Sequence, residues 1–500
     1  MSNIMVNADS IKGDFKHYWK KVIASSHAHT ALRVSYQNAL QAVREEAGFD
    51  EVRFHGIFHD LNGVYNEDED GNVKCNFYIV AQIYDALVAK GMRPFVELSF
   101  MPKQLCSTDK TIFVWRGGVA LPNDWDKYRE MIRQFVVFLI DRYGIDEVIN
   151  WKFEVWNEPD LGGFRLGNDE LGIVDKDAYY QLYAAATKTV KSVDERLLVG
   201  GPATARCSWV GDFIKHCSEN DLPLDFISTH LYREDQNLGT IADWVAGDRR
   251  DSKYNVVSDY VKACVGGNDF MKKVFATVKS MIDSSGRPEL PLYITEYGPF
   301  WGAVCPERDS EYAAAFICQS VYDHRGTVDG LAYWTFSDDF EERGVMASEF
   351  SSNFGLITRN GIYKPGFNAY CALAKLGDVE LHSEGDIAHF ATCRGDQIQI
   401  LVWNERPDDQ LTQTVSLGID NLPSECVVRH LRIDGEHSNA YSRWLEMGSP
   451  EIPSPRQIEM LKSRMRLEEC EPWQSTQSGY YEKTMTLPPN SISLLILDKA

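Results

Sequence analysis

The chain has 500 residues, with 51 Lys and Arg against 73 Asp and Glu, and a formal net charge of -22. Such a charge repels phosphate backbones and anionic lipid, so neither nucleic acid nor a membrane surface is expected as a partner and a neutral ligand is favoured. The length exceeds one typical domain and allows a large core, so one domain of catalytic size with a smaller companion is expected.

The stretch MSNIMVNADSIKGDFKHYWKK has no basic region followed by an apolar run, and no later stretch holds the ~18 apolar residues of a membrane span. A cytoplasmic location is therefore expected. Eleven cysteines are scattered without any CxxC, which indicates neither a disulfide framework nor a zinc site; reduced, partly buried thiols are expected.

From residue 20 to residue 336 two patterns alternate. Short apolar runs read as strands: KVIASSHA (21–28), EVRFHGIF (51–58), RPFVELSF (93–100), WKFEVWNE (151–158), RLLVGGPAT (196–204), DFISTHLY (225–232), LPLYITEYG (290–298) and GLAYWTFS (330–337). Between them lie amphipathic stretches such as 36–48, 76–91, 125–144 and 177–193, where apolar residues recur at spacings of three and four and predict helices. Eight such units are what a (β/α)8 barrel needs, and an open doubly wound sheet usually stops at fewer strands.

After about residue 365 the pattern changes to short alternating runs, including IAHFATCR, IQILVWNE, TQTVSLGI, CVVRHLRI and SISLLILD, which predict antiparallel strands of a β-sandwich. The expected division is a TIM barrel over 13–365 and a sandwich over 366–500, joined by residues 1–12. A polar excursion at 435–478 carries one helical piece, 454–467, whose apolar stripe has no evident partner in the sequence. It is read either as a solvated excursion or as an oligomer contact.

In such a barrel, function collects at the C-terminal ends of the strands, where the βα loops form the mouth. There this sequence places His27 and His29, then His55, His59 and Asp60, then Asn157 and Glu158. Later strands add His230 and Tyr232, Glu296 and Tyr297, and finally Trp334, Asp338, Asp339, Glu341 and Glu342. Polar and aromatic groups together suit a sugar-binding mouth.

Glycoside hydrolysis with retention needs one carboxyl to protonate the leaving oxygen and a second to attack the anomeric carbon, with the two about 5–5.5 Å apart. Glu158 and Glu296 close the fourth and seventh strands, each bracketed by aromatic residues. A single Glu at a strand end most often serves the following helix, so the pair carries the argument.

The motifs WNEP at the fourth strand and TEYG at the seventh resemble the acid/base and nucleophile motifs of the retaining (β/α)8 glycosidases. Three stretches, VRFHGIFHD (52–60), VWNEPDLGGF (155–164) and YWTFSDDFEE (333–342), resemble the β-xylosidase branch of glycoside hydrolase family 39, as does RIDGEHSNAYSRWLEMGSP (432–450). The resemblance implies Glu158 as general acid/base and Glu296 as the nucleophile that forms a glycosyl-enzyme. It implies a retaining, exo-acting β-D-xylosidase that takes xylose from the non-reducing end of xylo-oligosaccharides without a cofactor. No His/Asp/Glu cluster shows metal-ligand spacing in the sequence.

Asn157 is expected to bond the sugar 2-OH, and His230 and Tyr232, two apart on one face, to line the pocket near the nucleophile. By the same resemblance His55 holds sugar hydroxyls, and Glu341 or Glu342, with Glu342 preferred, grips the far end of the sugar. Trp334 and Phe164 are candidate stacking platforms. GGFRLG, which places Arg165 beside Phe164, departs from the aromatic that related enzymes tend to carry there.

Other activities on the same fold are an α-L-iduronidase, an arabinosidase or a β-glucosidase. The first needs a basic cradle for a uronate, for which Arg53, Arg165, Arg233 and Arg343 are candidates. A sugar-binding barrel without catalysis is the alternative from another class, and the presence of both glutamates with Asn157 argues against it. Tetramers formed through the C-terminal excursion occur in the resembling family, so a homo-oligomer through 435–478 is expected.

Overall fold

The computed structural model describes residues 2–167, 175–237, 268–302, 305–406, 410–423 and 425–500. Eight parallel strands pair in chain order: Val22–His27, Glu51–His55, Arg93–Leu98, Lys152–Val155, Leu198–Thr204, Phe226–Tyr232, Leu292–Gly298 and Gly330–Tyr333. The Phe336 N–H donates to the Ala24 carbonyl at 3.0 Å, which brings the end of the eighth strand against the first and closes the barrel. Each strand lies inside the apolar run read for it. The surplus residues at the C-terminal ends of several runs are mouth loops, because the chain turns outward there.

Helices wrap the barrel with their apolar faces inward. In Trp125–Tyr143, Tyr128, Met131, Ile132, Phe135, Val136 and Leu139 are buried at spacings of three and four, and the Asp124 carboxylate caps the first turn by accepting from the amides of Asp126 and Lys127. At the closed end of the barrel Phe95, Phe226 and Tyr293 fill the interior together with Val22, Ala24 and Ala332. Among them Lys152 donates to Glu51 at 2.6 Å and lies 5.0 Å from the centre of the Tyr293 ring. A plugged floor of this kind leaves only the other end open to ligand.

The expected sandwich takes the form of one ten-stranded mixed sheet, in which Ser2–Asp14 lies between Val379–Gly385, antiparallel, and Gln413–Leu422, parallel. It encloses a core of its own that includes Ile4, Val6, Leu417, Ile419, Leu495 and Leu497. The boundary expected at 365/366 falls at the first turn of helix Pro365–Ala374, which packs on the barrel: the Tyr370 hydroxyl meets that of Tyr297 at 2.5 Å.

Part of the apolar surface of the excursion at 435–478 is covered within the chain. Tyr441 and Trp444 pack on Phe350, and the Asn368 side chain donates to the carbonyls of Ser438 and Met465. Helix Pro455–Lys462 buries Leu461. The ten described cysteines form no disulfide, and Cys264 lies outside the described residues. No described helix is long and apolar enough to cross a membrane.

Candidate active site

The mouth of the barrel holds a cavity of about 430 Å³ whose wall includes His55, Asn157, Glu158, Phe164, His230, Tyr232, Glu296, Trp334 and Glu342. Strand pleating sets the base of it. Arg53 and His55, two apart, both point inward from the second strand. Arg53 is fully buried and donates to Glu154 at 2.6 Å, Glu296 at 3.0 Å and the Asn157 carbonyl oxygen at 2.7 Å, with Glu97 at 2.8 Å. Burial alone would lower its pKa, but the carboxylates of Glu154, Glu97 and Glu296 outweigh that and hold it above the ordinary arginine value.

The fourth strand ends in a strained turn. Trp156 and Glu158 both have left-handed backbone, with φ of 69° and 42°, and the Glu158 N–H is fixed to the Ala203 carbonyl at 2.8 Å. Non-glycine residues in this region cost about 1–3 kcal/mol each and persist only where the surroundings hold them. The result is that Glu158 faces the cavity. Asn157 has its carbonyl oxygen held by Arg53, so its NH2 is the end left for a ligand.

Glu296 ends the seventh strand. Its Oε1 takes the Arg53 bond, its Oε2 accepts from the Tyr232 hydroxyl at 2.9 Å, and the His55 Nε2 stands 3.7 Å away. His55 in turn bonds Glu97 through Nδ1 at 2.8 Å; burial would lower its pKa, yet Glu97 overcomes this and the net shift is upward.

His230 links the two carboxyls. Its Nδ1 lies 3.0 Å from Glu158 Oε1, and its Nε2 lies 3.1 Å from Thr295 Oγ1. The Thr295 hydroxyl donates its only hydrogen to Glu154 at 2.8 Å, so it must accept from His230 Nε2–H. Burial lowers the His230 pKa to about 4, so the ring is neutral and Nδ1 carries a lone pair. A lone pair facing Glu158 needs a proton on that carboxyl, and burial does raise the Glu158 pKa to about 7. Burial also raises Glu296, and Glu158 adds to that, while Arg53 and His55 work against it. Hydrogen bonds thus assign the proton of the pair to Glu158 and the charge to Glu296.

One atom from each of Glu158, His230 and Glu296 lies within 4.8 Å of the others. No metal-ligand spacing was evident in the sequence, and this cluster comes together only through folding of three separate strands. The carboxyls are close enough to act on one carbon. Inverting hydrolysis needs about 6.5–9.5 Å between them, to leave room for a water.

The family model for glycosyl hydrolases family 39 matches residues 2–480. The chain belongs to glycosyl hydrolase family 39. It is 35% identical to a β-xylosidase of Geobacillus stearothermophilus over 97% of this chain and 93% of that protein. It is 32% identical to a β-xylosidase of Caldicellulosiruptor saccharolyticus, covering 98% and 97% of the two. The crystal structure of a monomeric β-xylosidase from Caulobacter crescentus CB15 superposes with a TM-score of 0.87 at 29% identity, covering 100% of both chains.

In this glycoside hydrolase the remaining candidates separate. Trp334 lies 4.7 Å from the His55 ring, and Phe164 packs against Phe100 and Phe113. Glu342 lines the cavity, 3.7 Å from His55 Nε2, and burial pushes its pKa up to about 8. Glu341 does not join it: it is paired with Arg33 at 2.8 Å and Arg359 at 3.0 Å, outside the cavity. Arg165, singled out as a departure, pairs with Asp175 at 2.8 Å and does not line the cavity.

Of the other arginines weighed as a uronate cradle, Arg53 is enclosed by carboxylates and Arg233 pairs with Glu405 beside the Phe316 ring. Arg343 is left at the rim, donating to the Trp301 carbonyl at 3.1 Å. His27 stacks on Trp115 at 4.6 Å, outside the cavity wall.

Sequence reading passed over Glu97, Glu154 and Thr295, although a lone acid inside an otherwise apolar barrel strand is a legible signal for the first two. It also passed over Phe113, which reaches the cavity from a short ribbon formed by Thr111–Ile112 and Gly117–Gly118. The aromatic cluster FVW at 113–115 was its signal. Arg206 and Asp235, both in the cavity wall, were likewise not picked out.

Proposed function

We propose that the enzyme is a retaining β-D-xylosidase that releases xylose from the non-reducing end of xylo-oligosaccharides through a covalent glycosyl-enzyme. One observation carries the mechanism: Glu158, set against His230 Nδ1, and Glu296, held by Arg53 and Tyr232, face one cavity with atoms within 4.8 Å. The two full-length relatives, both β-xylosidases, support the choice of sugar.

In the first step Glu296 attacks the anomeric carbon while Glu158 gives its proton to the departing oxygen. Esterification removes the Glu296 charge, and with it the repulsion that the two carboxyls exert on each other. Glu158 thereby becomes the stronger acid, stays ionised, and serves as base for the water that frees the sugar with retained configuration. The Asn157 NH2 offers the 2-OH a bond that strengthens as positive charge develops. Trp334 and Glu342 bound the glycone side, which suits a chain end. Of the four arginines considered for a uronate cradle, Arg53 is enclosed by carboxylates and Arg165 and Arg233 are ion-paired, which leaves Arg343 at the rim and disfavours the iduronidase reading.

A panel of nitrophenyl glycosides tests the sugar, and proton NMR of the first product tests the stereochemistry. The highest kcat/KM is expected on the β-D-xyloside, with β-xylose released first; preference for another glycone, or α-xylose as first product, refutes the reading. Self-association through 435–478 is a separate proposal. Leu445, Ile452 and Trp473 are exposed there, and light scattering reads the outcome as a monomer or an oligomer.

A further inference from the structure

The end of the fifth strand and the loop that follows it form the most strained segment of the mouth. Ala203, Arg206, Cys207 and Trp209 all have left-handed backbone, with φ of 52°, 56°, 53° and 60°. None is a glycine, so the conformation is imposed from outside. It is imposed by the acid/base turn itself: the Asp160 carboxylate accepts from the Ala205 N–H at 2.9 Å and the Ser208 hydroxyl at 2.6 Å, and Glu158 N–H bonds the Ala203 carbonyl. The loop and the Glu158 turn are thus one rigid unit.

That unit aims Arg206 into the cavity. Its Nε approaches Asp235 at 3.4 Å, and Asp235 is itself buried and held by the Tyr232 N–H at 2.8 Å. The two terminal nitrogens, with four of the five N–H donors, have no partner among the described residues and are not sealed from the cavity. Among the charges acting on Glu158, Arg206 is the strongest. His55 ends strand two, Trp334 and Glu342 follow strand eight, and the three occupy the glycone side. Arg206 lies in the turn after the fifth strand, next to the turn that carries Glu158, on the side where that carboxyl hands its proton to the departing oxygen.

We propose that Arg206 is the specificity-determining residue of the leaving-group subsite, its free guanidinium donors gripping hydroxyls of the second sugar while Asp235 holds it in place. The assignment rests on the xylosidase reading above. It explains a strain that the hydrolytic residues do not require: a charged fork is worth holding rigidly where a polyhydroxylated leaving group must be aligned with a proton donor. A nitrophenyl leaving group offers few such hydroxyl contacts, so the two substrate types separate the roles.

The test compares wild type with Arg206→Gln and Arg206→Lys on xylobiose and on nitrophenyl β-xyloside, with full pH profiles of kcat/KM. Wild-type turnover of both substrates checks the xylosidase reading by itself, and its absence refutes that reading and not this assignment. For Arg206→Gln the ratio of xylobiose to nitrophenyl xyloside kcat/KM should fall by about 10- to 100-fold, the worth of a charged hydrogen bond. Loss of the positive charge also raises the Glu158 pKa from about 7, so the basic limb moves to higher pH. The other groups around Glu158, namely His55, Arg53, Asp235, His230, Asp160, Glu296, Tyr232 and Glu342, are unchanged in the variant. Arg206→Lys keeps the charge but not the fork, so its limb stays near that of wild type while part of the xylobiose deficit persists. Equal losses on both substrates, or an unmoved basic limb in Arg206→Gln, overturns the assignment. If Arg206→Gln does not fold, the substrate ratio of Arg206→Lys decides alone, and an unchanged ratio overturns it.

Discussion

Thr295→Val is the perturbation that reaches the catalytic proton most indirectly. Valine has nearly the shape of threonine, so the barrel packing is kept while one hydroxyl is lost. That hydroxyl accepts from His230 Nε2–H at 3.1 Å and donates to Glu154 at 2.8 Å. Without it, nothing fixes the imidazole proton on Nε2, and the ring gains by moving the proton to Nδ1, where Glu158 Oε1 lies 3.0 Å away. An Nδ1–H donor favours the ionised form of Glu158, whereas the present lone pair favours the protonated one. A hydrogen bond to a charged group contributes about 1.5–3 kcal/mol, and one pKa unit is about 1.36 kcal/mol, so a shift of about 1–2 units downward from about 7 follows. In the kcat/KM profile on an aryl β-xyloside the basic limb, which reports loss of the acid's proton, should move to lower pH by that amount. Long-range ¹⁵N–¹H spectra of the His230 ring read the tautomer directly. A basic limb that stays in place or moves upward, with the tautomer unchanged, refutes the reasoning.

Glu296→Gly should abolish hydrolysis, and azide should restore turnover by entering the space of the lost carboxylate; mass and NMR spectra should show xylosyl azide of inverted configuration. A rescued product of retained configuration would exchange the roles of Glu296 and Glu158. Away from the site, Lys364 is fully buried between Asp309 at 2.7 Å and Asp338 at 2.8 Å. Lys364→Met leaves two buried carboxyls without a counter-charge, and denaturant titration should show a loss of about 3–5 kcal/mol in stability.

The barrel was legible because its strands are short, apolar and separated by amphipathic helices, and because each strand must end where polar residues begin. Asn157, Glu158, His230, Tyr232 and Glu296 could be found at those ends by that rule, and all five line one cavity. Pairing partners were not legible, since they depend on which strands are neighbours across the barrel. Adjacent Glu341 and Glu342 look alike in sequence, yet Arg33, from a loop some 300 residues earlier, takes the first and leaves the second to the cavity (341 - 33 = 308). Arg165 and Arg206 present the same difficulty in reverse. Asp175 claims the one, and the strained turn exposes the other.

The buried charges around the cavity floor account for why the nucleophile is the reactive one. Five carboxyls converge there: Glu97, Glu154, Glu158, Glu296 and Glu342. Burial pushes the pKa values of Glu158 and Glu342 up to about 7 and about 8, so near neutral pH about half of the Glu158 carboxyls and most of the Glu342 carboxyls carry a proton. Arg53 supplies positive charge, Glu97 shifts His55 toward its charged form, and Glu97 and Glu154 are their closest partners. The negative charge left over is that of Glu296, kept ionised by one Arg53 bond and the Tyr232 hydroxyl but not neutralised. A sugar ring that develops positive charge between Glu158 and Glu296 therefore meets a net negative field in a site that bulk water does not screen, and the transition state gains more from it than the neutral substrate does.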